Sequence, residues 1–312
     1  MPAPRKAVKT IKSPPPKRTT GVIVLPSRND LSVPPEDFLE YTTLIYGKKG
    51  IGKTTATSTF PDYLNCCFEP GRKNIEIRKI DFDLKTAQEL MECSQSGDYD
   101  SPEEYDPWLK LMEVGRLSID DDTVAGLAID TVDMAYSACQ ESVCARAGVE
   151  SCFAKVQGQN LWDTLRMEFT GFFHLLRSKG VGTLFISHAK EREAELMEGV
   201  EGVTMVGPSC PPACAKIMKQ ICDYWFFYGY SEGKRCLWLD DPEMNVEVAC
   251  GRGFKAKDGT QLEKLILPND PSKFYSLVDK AYGSKSPSPS KPKTVKKAVK
   301  KAAKKAVKRK AR

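Results

Sequence analysis

Residues 47–54 read GKKGIGKT, a complete match to the pattern G-x-x-x-x-G-K-[ST]. Phosphate chemistry gives each residue type in that pattern a task. Gly47, Gly50 and Gly52 let the main chain turn closely around an anion. Successive N–H groups of the 47–55 stretch, which also holds Lys48, Lys49, Ile51 and Thr55, can then point inward. A helix starting near Lys53 adds the positive end of its dipole. Lys53 is expected to bridge the β- and γ-phosphates of a nucleotide, and the Thr54 hydroxyl to ligate Mg²⁺.

A magnesium site of this kind needs a carboxylate at the end of a neighbouring buried strand, and LAIDTVD (127–133) supplies Asp130 there. Asp133 either assists it or caps the helix that follows. Hydrolysis also needs a base to orient water. Glu69, in CCFEPG at the end of the strand after the P-loop helix, is the candidate. His188, at the tip of FISH, is placed to sense a γ-phosphate by hydrogen bonding and to relay its presence to the loop behind it. Lys190 and Arg192 follow at once. They suit a phosphate in a neighbouring subunit or a nucleic-acid backbone, or else form a solvated pair balanced by Glu191, Glu193 and Glu195.

These residues must be positioned by an alternation of strands and helices. Apolar or β-branched runs predict strands over 41–46, 64–68, 74–80, 124–130 and 181–188, then a terminal, antiparallel set over 223–230, 234–240 and 245–250. Helices are expected from Lys53, over 101–117 with Ser101 and Glu104 as its opening cap, over 134–148, and over 159–180 with Gly180 as its stop. The fold class implied is α/β, a mostly parallel central sheet flanked by helices with antiparallel strands near the C-terminus. Ligands of such sheets bind beyond the carboxyl ends of the strands. The 47–54 loop, Glu69, Asp130 and His188 all fall at such ends.

The formal charge of +6 conceals a split. Residues 1–18 carry six Lys/Arg and residues 283–312 carry thirteen, with no acid in either segment. The 19–282 stretch keeps 28 basic residues against all 41 acidic ones, a formal charge of −13. Pro- and Lys-rich composition predicts a disordered basic arm over 1–18, and SKSPSPSKPK reads as a linker into a Lys/Ala-rich tail, disordered until neutralised. In that tail basic pairs recur every four residues from Lys296, so a helix formed on a polyanion would have one cationic face. Attraction to nucleic acid is expected to concentrate in these arms. The eleven cysteines read as reduced thiols in a cytosol-like compartment. Buried thiols are the favoured reading of Cys210, Cys214 and Cys222, and a zinc site the lesser one. No run suits a membrane span and no apolar run follows the basic N-terminus, so a cytoplasmic, nucleoid-associated or, in a eukaryotic host, nuclear location is expected.

Taken together, YGKKGIGKTT, the strand ending in AIDTVD, and LFISHAKERE followed by GPSCPP resemble the phage-type P-loop nucleotide-binding proteins. That is a RecA-like ATPase group including single-strand annealing and recombination ATPases, and the similarity spans roughly 38–282. The resemblance implies a γ-phosphate contact at His188, where related enzymes usually carry Gln. It also implies a DNA-contacting loop around 190–210 and a catalytic glutamate at Glu69. The function expected is a Mg²⁺-dependent ATPase that binds DNA, single-stranded in the first instance, in recombination, repair or replication, with a homo-oligomer possible. The alternatives are a nucleotide-dependent DNA-binding protein with little hydrolysis and, further off, a small-molecule or nucleotide kinase. The kinase reading needs a lid with clustered arginines, which the sequence does not display.

Overall fold

The computed structural model describes residues 38–69, 76–158, 160–194, 203–241, 246–249, 254, 260–268 and 270–282. Both basic arms and the 284–293 linker lie outside the described residues. Among those described, no helix is long and apolar enough to cross a membrane.

TTLIYG forms β1 (Thr42–Gly47), buried along its whole length. It leads through the P-loop into the short helix α1 (Lys53–Thr57). Strands β2 (Tyr63–Cys67) and β3 (Lys79–Asp81) follow, then α2 (Ala87–Ser96), α3 (Pro107–Asp120), β4 (Gly126–Asp130), α4 (Val132–Arg146) and α5 (Trp162–Ser178). The chain continues through β5 (Gly182–Ala194), β6 (Val203–Pro208), α6 (Pro212–Ile221), β7 (Tyr224–Ser231), β8 (Lys234–Trp238), β9 (Lys264–Ile266) and α7 (Phe274–Tyr282). The strands lie in the order β3-β2-β4-β5-β1-β7-β8-β9, with β6 paired to β5 off this path. From β3 to β7 every pairing is parallel, whereas β8 and β9 add in antiparallel fashion. The expected α/β architecture is therefore present.

Alternation along each central strand sorts its side chains between two cores. Leu44, Leu127, Ile129, Phe185 and Trp225 join a cluster with residues of α2 to α6. Their neighbours Ile45, Ala128, Leu184 and Phe226 join a second cluster with Ala56 of α1 and Phe274 and Val278 of α7. Burial on both faces explains why these strands read as continuous apolar runs. On α5 the buried positions Leu165, Phe169, Phe172, Phe173 and Leu176 follow the helical period, and Trp108 of α3 stacks on Phe169. Each such aromatic or aliphatic side chain contributes about 1.5–3 kcal/mol by leaving water.

Local chemistry moves several boundaries. The helix expected over 101–117 starts at Pro107, because Asp106 rather than Ser101 caps it, accepting from the N–H groups of Trp108 and Leu109. Residues 102–104 form a separate 3₁₀ turn without a side-chain cap. The strand expected over 74–80 is confined to Lys79–Asp81 within the described residues. Among the described residues of the 245–250 run, Val246 and Ala249 make isolated bridges, and the last strand of the described sheet order is β9. The strand expected to stop at His188 runs on to Ala194 and pairs with β6 as a hairpin.

Candidate nucleotide-binding site

The topology places β5 between β1 and β4, so the strand carrying His188 separates the P-loop strand from the strand carrying Asp130. Register brings Gly47 opposite His188 and Cys67 opposite Asp130. All the expected site residues thus gather at one carboxyl-terminal edge of the sheet.

The loop itself is shaped by its glycines. A Cβ on Gly47 would overlap the carbonyl oxygen of Tyr228 on β7, so only glycine lets β1 lie this close as it turns. Gly52 has φ +99°, a left-handed conformation that other residues rarely adopt. Ile51 is buried in the core that α1 covers, anchoring the loop from behind, while Lys48 and Lys49 are exposed. Thr55 lies on α1 and its carbonyl accepts from Ser58 Oγ at 2.8 Å.

Lys53 is only 6% exposed. Its ammonium donates to the carbonyls of Gly47 (2.8 Å) and Lys48 (3.0 Å), and it lies 3.4 Å from His188 Nδ1. An ammonium can only donate, so Nδ1 accepts, and the proton of the neutral ring sits on Nε2. Nε2 in turn lies 2.8 Å from Glu69 Oε1 and donates to it. Lys53, His188 and Glu69 therefore form one hydrogen-bonded chain running from the P-loop past β5 to the end of β2. Beside it Thr54 Oγ1 donates to Asp130 Oδ2 at 2.8 Å, with Asp130 buried.

These groups fit the nucleotide and metal they were expected to hold. The loop folds the Lys53 ammonium over its own carbonyls. Two hard oxygen donors, from Thr54 and Asp130, lie within one hydrogen bond of each other, which suits a small divalent cation that keeps most of its waters.

Asp133 takes the helix-terminus place that was one of its two expected readings. Placed in the first turn of α4, it accepts from Ser187 Oγ at 2.8 Å and from Ser209 Oγ. Ser209 N also donates to the His188 carbonyl at 2.8 Å. Asp133 thereby pins the end of β6 to the strand beside the site. Ser187 and Ser209 were not singled out from the sequence, since a serine has no spacing signature. Their flanks, one residue before His188 and one before Cys210, were the available hint. Lys190 stands exposed on β5 opposite Gly207, and Arg192 lies opposite Met205.

The Cys210, Cys214 and Cys222 thiols are not joined in disulfides. The Cys214 thiol is pushed well above its ordinary value, chiefly by hydrogen bonding to Cys210 and then by burial, and burial does the same for Cys222.

No curated protein matches this chain. Residues 39–247 match the family model described as AAA domain. That stretch holds β1 through the end of β8 with the P-loop, Glu69, Asp130 and His188, and it makes up more than half of the sequence. The chain accordingly belongs to the AAA-domain family and has its P-loop nucleoside-triphosphatase fold.

Proposed function

We propose that this protein is a Mg²⁺-dependent ATPase whose turnover is coupled to DNA, single-stranded in the first instance, in recombination, repair or replication of a phage-type genome. The observation that carries this reading is the Lys53–His188–Glu69 chain, because His188 belongs to the strand that continues into the β5–β6 hairpin.

An incoming triphosphate competes for Lys53 with two neutral carbonyls and an imidazole, and charge-assisted bonds to phosphate are the stronger. Lys53 then turns to the β- and γ-phosphates, and His188 Nδ1 loses its donor. Thr54 and Asp130 would hold Mg²⁺, which would supply neutralisation of the phosphate charge that develops in hydrolysis. Glu69, oriented by the Nε2–H of His188, is the group placed to take a proton from an attacking water. Exchange of Lys53 away from His188 shifts the root of the hairpin. Asp133, through Ser187 and Ser209, ties the returning strand to that same root.

Support for DNA as partner comes from the charge split. The thirteen basic residues of 283–312 and the six of 1–18 supply phosphate contacts that the acidic body does not. Five acids in 191–201 argue that the hairpin senses DNA held by the arms rather than gripping phosphates by itself. The test is ATP turnover by the full chain with and without single-stranded DNA. Stimulation by DNA is expected. Nucleotide binding without turnover under any DNA condition favours the reading of a nucleotide-dependent binding protein. Phosphate transfer to a small acceptor favours a kinase.

A further inference from the structure

Strands β7 and β8 present one row of side chains to the P-loop. Tyr228 stands opposite Leu237, and both belong with Ala56 and Phe60 to the core that α1 covers. Two pairs further along, past Gly229 and Cys236, Tyr230 stands opposite Arg235. By alternation these two share the face of Tyr228 and Leu237, but they emerge from the core, with Tyr230 55% exposed. Arg235 Nη1 lies 3.9 Å from the place a Cβ on Gly52 would take, so its guanidinium lines the rim of the phosphate loop.

Tyr230 holds it there. Arg235 Nε donates to the Tyr230 hydroxyl at 3.3 Å. Burial pushes the Tyr228 hydroxyl up from its ordinary value, and the neighbouring Arg235 opposes that rise. The other arginines with described side chains each have an acidic partner: Arg78 with Asp121, Arg116 with Glu113, Arg146 with Glu168, Arg166 with Asp163 and Arg177 with Asp223. Arg235 makes no ion pair with a carboxylate among the described residues. A planar, permanently charged fork, held by the Tyr230 hydroxyl and left without a carboxylate beside an anion-binding loop, is matched to phosphate oxygens.

We propose that Arg235 is a second cation for the bound nucleotide, engaging its phosphate chain from the β8 side of the loop, with Tyr230 as the residue that positions it. This rests on the nucleotide-binding reading above and adds a residue that the P-loop pattern does not contain. Because Arg235 and Gly52 belong to the same chain, the contact is made within one subunit.

The test is calorimetric titration of the full chain with the imido analogue of ATP, with ADP and with AMP. Wild type is compared with R235Q, R235K and Y230F. R235Q is expected to weaken binding of the ATP analogue by about tenfold or more, the order of one charge-assisted hydrogen bond, with a smaller loss for ADP and the least for AMP. R235K, which keeps the charge and loses the fork, should fall between. Y230F should lose less than R235Q, and adding it to R235Q should cost nothing more. If R235Q folds poorly, R235K decides by the same ATP-to-AMP ratio. Unchanged affinity in R235Q overturns the proposal, as does an equal loss for all three ligands, which would put the guanidinium on the base or ribose. A wild type that binds none of the three overturns the nucleotide reading and this one with it.

Discussion

His188 Nε2 lies 2.8 Å from Glu69 Oε1, while Nδ1 of the same ring faces the Lys53 ammonium at 3.4 Å. One imidazole thus contacts the P-loop lysine with one nitrogen and the carboxylate with the other. On the proposed reading, movement of Lys53 onto a phosphate is expected to release the ring and with it the orientation of Glu69.

Glu69→Gln keeps the size of the side chain but removes the basic oxygen. Turnover is expected to fall by about 10²–10⁴, the usual contribution of a general base, while affinity for ATP stays within about threefold. His188→Asn should reduce turnover less and should chiefly remove its stimulation by DNA. Steady-state hydrolysis alongside equilibrium binding separates the two. If Glu69→Gln hydrolyses ATP at the wild-type rate, the base is elsewhere.

The 2.8 Å bond from Thr54 to Asp130 makes a second, independent claim, because it concerns the metal rather than water. Asp130→Asn retains shape and hydrogen bonding but loses the charge that a divalent ion needs. The Mg²⁺ concentration for half-maximal turnover should rise by at least about tenfold. Nucleotide binding measured in chelator should barely change. Equal losses with and without Mg²⁺ would assign Asp130 to the loop's architecture instead.

Much of this site was legible because its chemistry is local in sequence. GKKGIGKT carries its loop, lysine and hydroxyl within eight residues, and Asp130 and His188 each end an apolar run. The Thr86–Glu89 capping box that opens α2 was equally local, since T-x-x-E precedes Leu90, yet that helix was not singled out. Helix α6 was missed for another reason. Its cysteines read as buried thiols without an element to carry them, whereas Pro212 at the start and Cys214, Ala215, Ile217, Met218 and Ile221 on one face spell an amphipathic helix. The Glu69–His188 bond, the Ser187–Asp133–Ser209 anchor and the place of Arg235 beside Gly52 join residues far apart along the chain. They depend on strand order and register, which no single segment contains.

Asp106 gives a prediction about stability. It is buried, caps α3 with one oxygen and accepts from Ser142 Oγ at 2.6 Å with the other. Burial raises its carboxyl above the ordinary 3.8, and the Ser142 hydroxyl and the Leu109 and Trp108 amides only partly offset that. The folded state therefore holds the proton more tightly than the unfolded one. Its contribution to stability is complete below the unfolded value and is lost as pH rises through the folded value. Asp106→Asn lacks this loss, so its melting temperature relative to wild type should climb from about pH 4 to about pH 7. Asp106→Ala removes the cap and strands Ser142, and should cost about 1–3 kcal/mol near neutrality. A difference between Asp106→Asn and wild type that is flat with pH would show the carboxyl to be unperturbed.

The last prediction concerns the arms, which flank an acidic body of formal charge −13. Binding that releases counterions from DNA weakens linearly in log affinity against log salt, with a slope of about −0.7 per neutralised phosphate on single strands. The full chain should show a steep slope, and deletion of 283–312 should flatten it by several units, because thirteen cations leave with that segment. Sequence preference should not change, since phosphate contacts carry no base information. Stimulation of ATP turnover by saturating DNA should survive the deletion if His188 and the β5–β6 hairpin do the sensing, with only the DNA concentration required moving upward. Loss of stimulation even at saturation would instead assign sensing to the tail, and the coupling route through His188 would have to be abandoned.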